Sequence, residues 1–219
     1  MQKYLSLYPL PINFVLMKPW FFIFFLLPLL GFAYVVWHVW QILPMSPSWK
    51  GAVVGLMSLS VVCLFSHFLI GPDSLPLAAG RVVYEVGTSS LFVLLYLVMI
   101  FLLLDIGRLV RLVPPSFLHH SVAGSVGILL FVCALFVYAN ANYRNKQMRT
   151  MELHAARPLS SPMRIVMLSD MHIGYHNPVK ELARWVDMIN AASPDVVLIA
   201  GDIIDGSMKP LREENMAAE

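Results

Sequence analysis

The sequence predicts a multi-pass α-helical membrane bundle of four transmembrane helices, followed by an α/β segment of βαβ type. Three observations carry that prediction. Residues 20–40, 51–70, 86–106 and 121–138 are apolar windows, each near the roughly 20 residues that cross a bilayer. The chain is 58% hydrophobic and only 13% charged, a balance foreign to ordinary soluble proteins. Beyond residue 163 the apolar residues regroup into two strand-length runs separated by a stripe of helical period. The chain thus divides into a transmembrane region at 1–142, a linker at 143–163 and an α/β segment at 164–219.

The first window follows Lys3 and Lys18 and precedes Gln41-Ile-Leu-Pro, not the small residues of a cleavage site, so it reads as a retained helix. The loops are short and rich in turn residues: LPMSPS at 43–48, GPDSLP at 71–76 and VPPS at 113–116. Short connections predict antiparallel neighbours and a compact bundle. Four spans place both ends on one side. Lys3, Lys18, Arg81, Arg144, Lys146 and Arg149 fall there, against Lys50, Arg108 and Arg111 opposite, so the positive-inside rule places that side, and the α/β segment, in the cytoplasm.

Polar residues within a span are costly and often functional. Asp105 and Arg108 stand one helical turn apart at the end of the third window. They read either as a substrate or proton site or as an interfacial pair, with Arg108 reaching toward headgroups. The second reading is the simpler. His38 and His67 are expected to be hydrogen-bonded inside the bundle. Cys63 and Cys133 lie in apolar windows, where a thiol behaves as a small hydrophobe. No basic block suggests a nucleic-acid partner.

In the linker, MRTMELH at 148–154 alternates well enough for a short edge strand, or else is coil, and RPLSSP at 157–162 reads as a connector. RIVML then suits a strand covered on both faces, as in parallel sheets. Asn177 followed by Pro178 predicts a capped helix start. Val179, Leu182, Trp185, Val186 and Ile189 give the helix its apolar stripe, and VVLIA is the second strand. A right-handed crossover makes the strands parallel, so Asp170 and Asp202, each just past a strand, emerge at the same carboxyl edge.

Adjacent strands are about 4.8 Å apart, close to the roughly 3.5–4 Å between cations in two-metal sites. Carboxylates on neighbouring strand ends can therefore share cations, and His172 can turn to the same centre. Imidazole with carboxylates suits Zn, Fe or Mn better than Ca. Gly174 and Gly201 allow the backbone to turn beside the ions.

LSDMHIG followed by PDVVLIAGDIID resembles the calcineurin-like metallophosphoesterases, and the preceding spans are similar to their membrane-anchored bacterial branch. The resemblance implies the first part of an α/β metallophosphoesterase sandwich. It implies two divalent metal ions (Mn, Fe or Zn), with Asp170 and His172 on one and Asp202 bridging both. Asp205 matches a second acidic position, a supporting or structural residue more than a ligand, and His176 is a candidate phosphate contact off the motif. The resemblance covers residues 164–219 and half of the family's site. The Gly-Asn-His-Asp/Glu motif, a further metal-binding histidine and Gly-His-x-His do not occur in the 219 residues, so the chain is expected to be an amino-terminal fragment, inactive alone. No catalytic acid can be assigned.

The resemblance implies metal-dependent phosphoester hydrolysis at a bacterial inner membrane. The bilayer is the partner, and the substrate is lipid-linked or membrane-proximal, some relatives splitting a UDP-diacylglucosamine-type pyrophosphate. The competing expectation is a non-enzymatic membrane sensor or scaffold carrying a remnant phosphoesterase domain. A small transporter fits less well, because the spans lack a chain of ionisable residues.

Overall fold

Backbone polar groups cannot be left unpaired in hydrocarbon, and long apolar windows resolve that as helices. The computed structural model describes residues 19–154 and 160–218. Its helices are α1 (Pro19–Ile42), α2 (Pro47–Leu69), α3 (Leu77–Leu109) and α4 (Val122–Arg144), followed by β1 (Ile165–Leu168), α5 (Val179–Ala191), β2 (Val196–Ile199) and α6 (Lys209–Glu213). Among the described residues, three helices are long and apolar enough to cross a membrane, at Pro47–Ser66, Leu77–Leu109 and Val122–Arg144. The expectation of four spans is met for these three. The described apolar stretch of α1, Leu26–Ile42, is shorter.

The membrane half is apolar outside, with Leu56, Leu103, Leu130 and Val137 exposed. Its core gathers Val35, Ile42, Leu94, Phe101 and Leu118. The helix α3 is the central element and contacts the other three. Its buried residues, Gly80, Gly87, Leu94 and Phe101, recur every seventh position, the spacing that keeps one seam against neighbouring helices. At Gly87 an added Cβ would lie 2.8 Å from the Leu64 backbone nitrogen and 2.9 Å from the Cys63 carbonyl carbon. Small residues permit such backbone approach where hydrophobicity cannot drive association.

Asp105 and Arg108 form the expected pair, with Nη1 3.4 Å from Oδ1, but the pair does more than mark helix depth. Tyr34 donates its hydroxyl to Asp105 Oδ2 at 2.7 Å, and His38 Nε2 lies 3.0 Å from the same oxygen. His38 is buried and stacked on Phe101, with ring centroids 4.5 Å apart. These contacts tie α1 to α3. The side chain of His67 and the Lys3 and Lys18 flanks lie outside the described residues, as does part of the RPLSSP connector.

β1 and β2 are parallel, in the register Leu168↔Ile199, as the crossover rule requires. Of the two readings of residues 148–154, edge strand or coil, the structure has coil, because alternation makes a strand only where a partner accepts its hydrogen bonds. One expectation is corrected. The strands are not covered on both faces: Met167, Leu198 and Ile199 are exposed, since one crossover helix can cover only part of a two-stranded sheet. The local core is Met171, Ile173 and Met216, flanked by Leu168, Val179, Leu182, Trp185 and Leu211.

In the detergent-solubilised protein, Gly87→Ala should cost about 1–3 kcal/mol of stability through overpacking. Gly55→Ala, where a Cβ meets nothing within 4 Å, should leave the melting midpoint unchanged or raised.

Candidate metal centre

Past the end of β1, side chains alternate in environment. Met171, Ile173 and Tyr175 are buried, whereas Asp170 is exposed and His172 partly so. The apolar residues pin the segment while the polar ones remain available. The parallel ladder continues into both loops: Asp170 N–H donates to Gly201 O (3.3 Å), His172 N–H to Asp202 O (3.0 Å), Ile173 N–H to Ile203 O (2.8 Å) and Asp205 N–H to Ile173 O (2.9 Å). One donor atom from each of Asp170, His172 and Asp202 lies within 4.8 Å of the others.

All three residues have left-handed backbones, with φ of 55°, 45° and 47°. That conformation costs a non-glycine residue about 1–2 kcal/mol. Residues held in it cluster where geometry serves a ligand. Two carboxylates and an imidazole, open to solvent, match the donors taken by Zn, Mn or Fe. The donor set therefore fits a divalent cation.

Asp205 stands behind this group. Its Oδ1 is 3.8 Å from His172 Nδ1, while Nε2 of the same ring faces Asp202 at 4.0 Å. The Asp205 Oδ2 accepts a 2.5 Å hydrogen bond from Tyr84 of α3. His176 is not brought into the group. Its Nδ1 lies 3.9 Å from Glu85 and its ring centroid 5.4 Å from that of Tyr143.

The expected helix cap at Asn177 is corrected. Pro178 occupies the cap position, and Asn177 is buried with its amide turned to the loop. Asn177 Nδ2 donates to Met171 O at 2.8 Å and His172 O at 3.3 Å, and Oδ1 accepts from Tyr143 of α4 at 3.0 Å. The amide is committed to fixing the loop segment that carries Asp170 and His172.

Tyr175 is fully buried against the end of the bundle. Its ring stacks on Tyr84 with centroids 5.6 Å apart, and its carbonyl accepts from Arg81 Nε at 3.1 Å. Its hydroxyl donates to Asp73 at 3.2 Å, and burial, followed by the Asp73 carboxylate, pushes the phenol up to about 12. Ser207 donates to the same carboxylate, Lys209 Nζ donates to Leu75 O at 2.6 Å, and Arg81 pairs with Glu214 at 2.7 Å. Sequence reasoning missed this seam. Its signal was GRVVYEVG, where Arg81, Tyr84 and Glu85 share one helical face just before the third apolar window.

Residues 163–219 match the family of calcineurin-like phosphoesterases. An uncharacterized metallophosphoesterase of Campylobacter jejuni is 32% identical over 85 residues, covering 38% of this chain and 23% of the relative. A transmembrane protein with metallophosphoesterase domain from Danio rerio is 44% identical over 50 residues, covering 23% of this chain and 11% of the relative. A protein of the same description from Bos taurus is 35% identical over 60 residues, covering 27% and 14%. The chain spans less than a quarter of the length of these relatives. No solved structure matches it.

Asn177→Ala removes buried hydrogen bonds and strands the Met171 carbonyl, so it should cost about 1–3 kcal/mol in thermal or denaturant unfolding. Asp202→Gly should act oppositely in chelator, raising stability by about 1 kcal/mol as backbone strain is relieved.

Proposed function

Because residues 163–219 carry calcineurin-like phosphoesterase sequence, we propose that the protein is a membrane-anchored, divalent-metal-dependent phosphoesterase. The observation that carries this reading is the convergence of Asp170, His172 and Asp202 within 4.8 Å at the carboxyl edge of a parallel strand pair. Asp170 and His172 are assigned to one cation and Asp202 to a bridge between that cation and a second, Mn, Fe or Zn. The second would need ligands beyond these three.

The chemistry such ions supply when bound is polarisation of a phosphoryl group and activation of water. The chain's own residues supply the frame. Asp170 and Asp202 concentrate negative charge at an exposed edge, and His172 presents Nε2 toward Asp202 while Asp205 backs Nδ1. Asn177 holds the segment that carries two of the three donors. Solvent exposure of both carboxylates leaves a route for an anionic substrate.

The location supports a membrane-proximal or lipid-linked phosphoester, because the loops around the donors rest on the ends of α3 and α4. A UDP-diacylglucosamine-type substrate is one such molecule. A fourth crossing by α1 is also proposed, supported by its parallel course along α3, where an added Cβ at Gly31 would lie 3.3 Å from Val98 and His38 meets Asp105. Both ends are assigned to the cytoplasmic side of a bacterial inner membrane, an orientation that the charge asymmetry of the loops supports. The competing reading is a non-enzymatic membrane sensor or scaffold that carries the phosphoesterase segment as a remnant.

Calorimetric titration of the solubilised protein with Mn²⁺ should give saturable binding that Asp202→Asn weakens by more than about 100-fold, exceeding the usual loss from an outer-shell change. Binding unchanged by the substitution would defeat the assignment. Mn²⁺-stimulated hydrolysis of bis(p-nitrophenyl) phosphate that Asp202→Asn abolishes would defeat the scaffold reading. A reporter fused after Tyr143 should read as cytoplasmic, and a periplasmic signal would reverse the topology.

A further inference from the structure

The helix α3 has 33 residues, roughly 50 Å of helix at 1.5 Å per residue. The hydrocarbon layer is about 30 Å thick. Its first turns, carrying Arg81, Tyr84 and Glu85, therefore extend past the apolar window that begins at residue 86. The end of α4 behaves alike, placing Tyr143 beyond the last apolar window, which closes at residue 138. Both helices thus deliver a tyrosine hydroxyl to the loops that carry the metal donors.

We propose that Tyr84 and Tyr143 are positioning residues through which the membrane bundle sets the metal affinity of the α/β segment. The inference rests on the reading that Asp170, His172 and Asp202 bind a divalent cation. Two separate routes converge on His172.

The first runs through a side chain. Tyr84 donates to Asp205 Oδ2 at 2.5 Å, and Asp205 Oδ1 faces His172 Nδ1 at 3.8 Å. At that separation the carboxylate acts as a negative charge beside Nδ1, not as a hydrogen-bond acceptor. It favours the tautomer with its proton on Nδ1 and its Nε2 lone pair open to a metal, and outer partners of a metal-binding histidine commonly contribute 10–100-fold in affinity. Asp205 has only 16% of its side chain exposed, so few waters can replace the Tyr84 hydroxyl. The second route runs through the backbone. Tyr143 donates to Asn177 Oδ1 at 3.0 Å, and the Asn177 amide donates to the carbonyls of Met171 and His172. That amide steadies the ligand segment in its left-handed conformation.

Both hydroxyls face the α/β loops and spend these bonds outside the bundle, so neither bond holds α3 or α4 to another membrane helix. Because these bonds join the ends of α3 and α4 to the donor loops, metal binding and the placement of those helix ends share free energy, and linkage makes the effect reciprocal. A change that shifts α3 against α4 moves the two routes unequally and loosens the site.

The test is Mn²⁺ titration calorimetry on the full chain in nanodiscs, with helical content followed by circular dichroism. Tyr84→Phe and Tyr143→Phe keep the rings and should each weaken binding about tenfold. The double variant should approach the product of the two losses, because the routes are separate. Asp205→Asn should weaken binding as well, and Tyr84→Phe added to it should cost nothing further, because those two share a route. Tyr138→Phe, at an exposed position on α4, is the control and should bind like the wild type. A residue that merely stabilises the fold would give losses unrelated to route.

Wild-type affinity in both Phe variants overturns the inference while leaving the metal reading intact. Absence of saturable binding by the wild type overturns the metal reading and this inference with it. Should either Phe variant lose helical content, Asp205→Asn, which leaves both tyrosines in place, decides the first route: unchanged affinity there overturns it.

Discussion

The contact on which the rest depends is the seam between the α/β segment and the end of the membrane bundle, centred on Tyr175. A two-stranded sheet is marginal in isolation, and this one has exposed strands and a small core of Met171, Ile173 and Met216. What its own packing lacks is supplied where Tyr175 is enclosed by Tyr84, Arg81 and Asp73. The Arg81–Glu214 ion pair and the Lys209 bonds to the loop before α3 extend the same seam. The loop segment that carries Asp170 and His172 is therefore ordered partly from outside its own fold.

For that to work, the bundle must itself be a fixed support. Lipid offers no hydrophobic gain for bringing helices together, so close backbone approach and polar ties must supply it. Gly87 brings α3 against α2, and the Asp105 carboxylate binds α1 through Tyr34 and His38. The two features sit toward opposite ends of α3, which makes one long helix both the axis of the bundle and the arm that reaches the donor loops. The parallel strand pair then brings the two aspartates to one edge, and the strained backbone at each donor exposes the carboxylates and imidazole instead of burying them.

Much of this was legible in the sequence. The apolar windows implied the helices because twenty apolar residues have few other fates, and the spacing of the two strand-length runs implied a parallel pair with Asp170 and Asp202 side by side. Less was legible at the boundaries between regimes. Asn177 looked like a helix cap because cap preference is local, whereas its amide is drawn to Met171 and His172 by a loop conformation that no local rule contains. The alternation in MRTMELH suggested a strand, yet a strand exists only through its partner. The seven-residue recurrence of Gly80, Gly87, Leu94 and Phe101 was present in the sequence, hidden within a helix apolar on every side.

The sequence by itself determined the membrane character, the βαβ order and the identity of the three candidate donors, because hydropathy, periodicity and motif are properties of short stretches. The tertiary structure decided which residues support those donors. Tyr84 is separated from Asp205 by 121 positions and Tyr143 from Asn177 by 34. Contacts at such separations depend on how deep each helix sits and which face it turns to the loops, and those are set by packing across the whole chain.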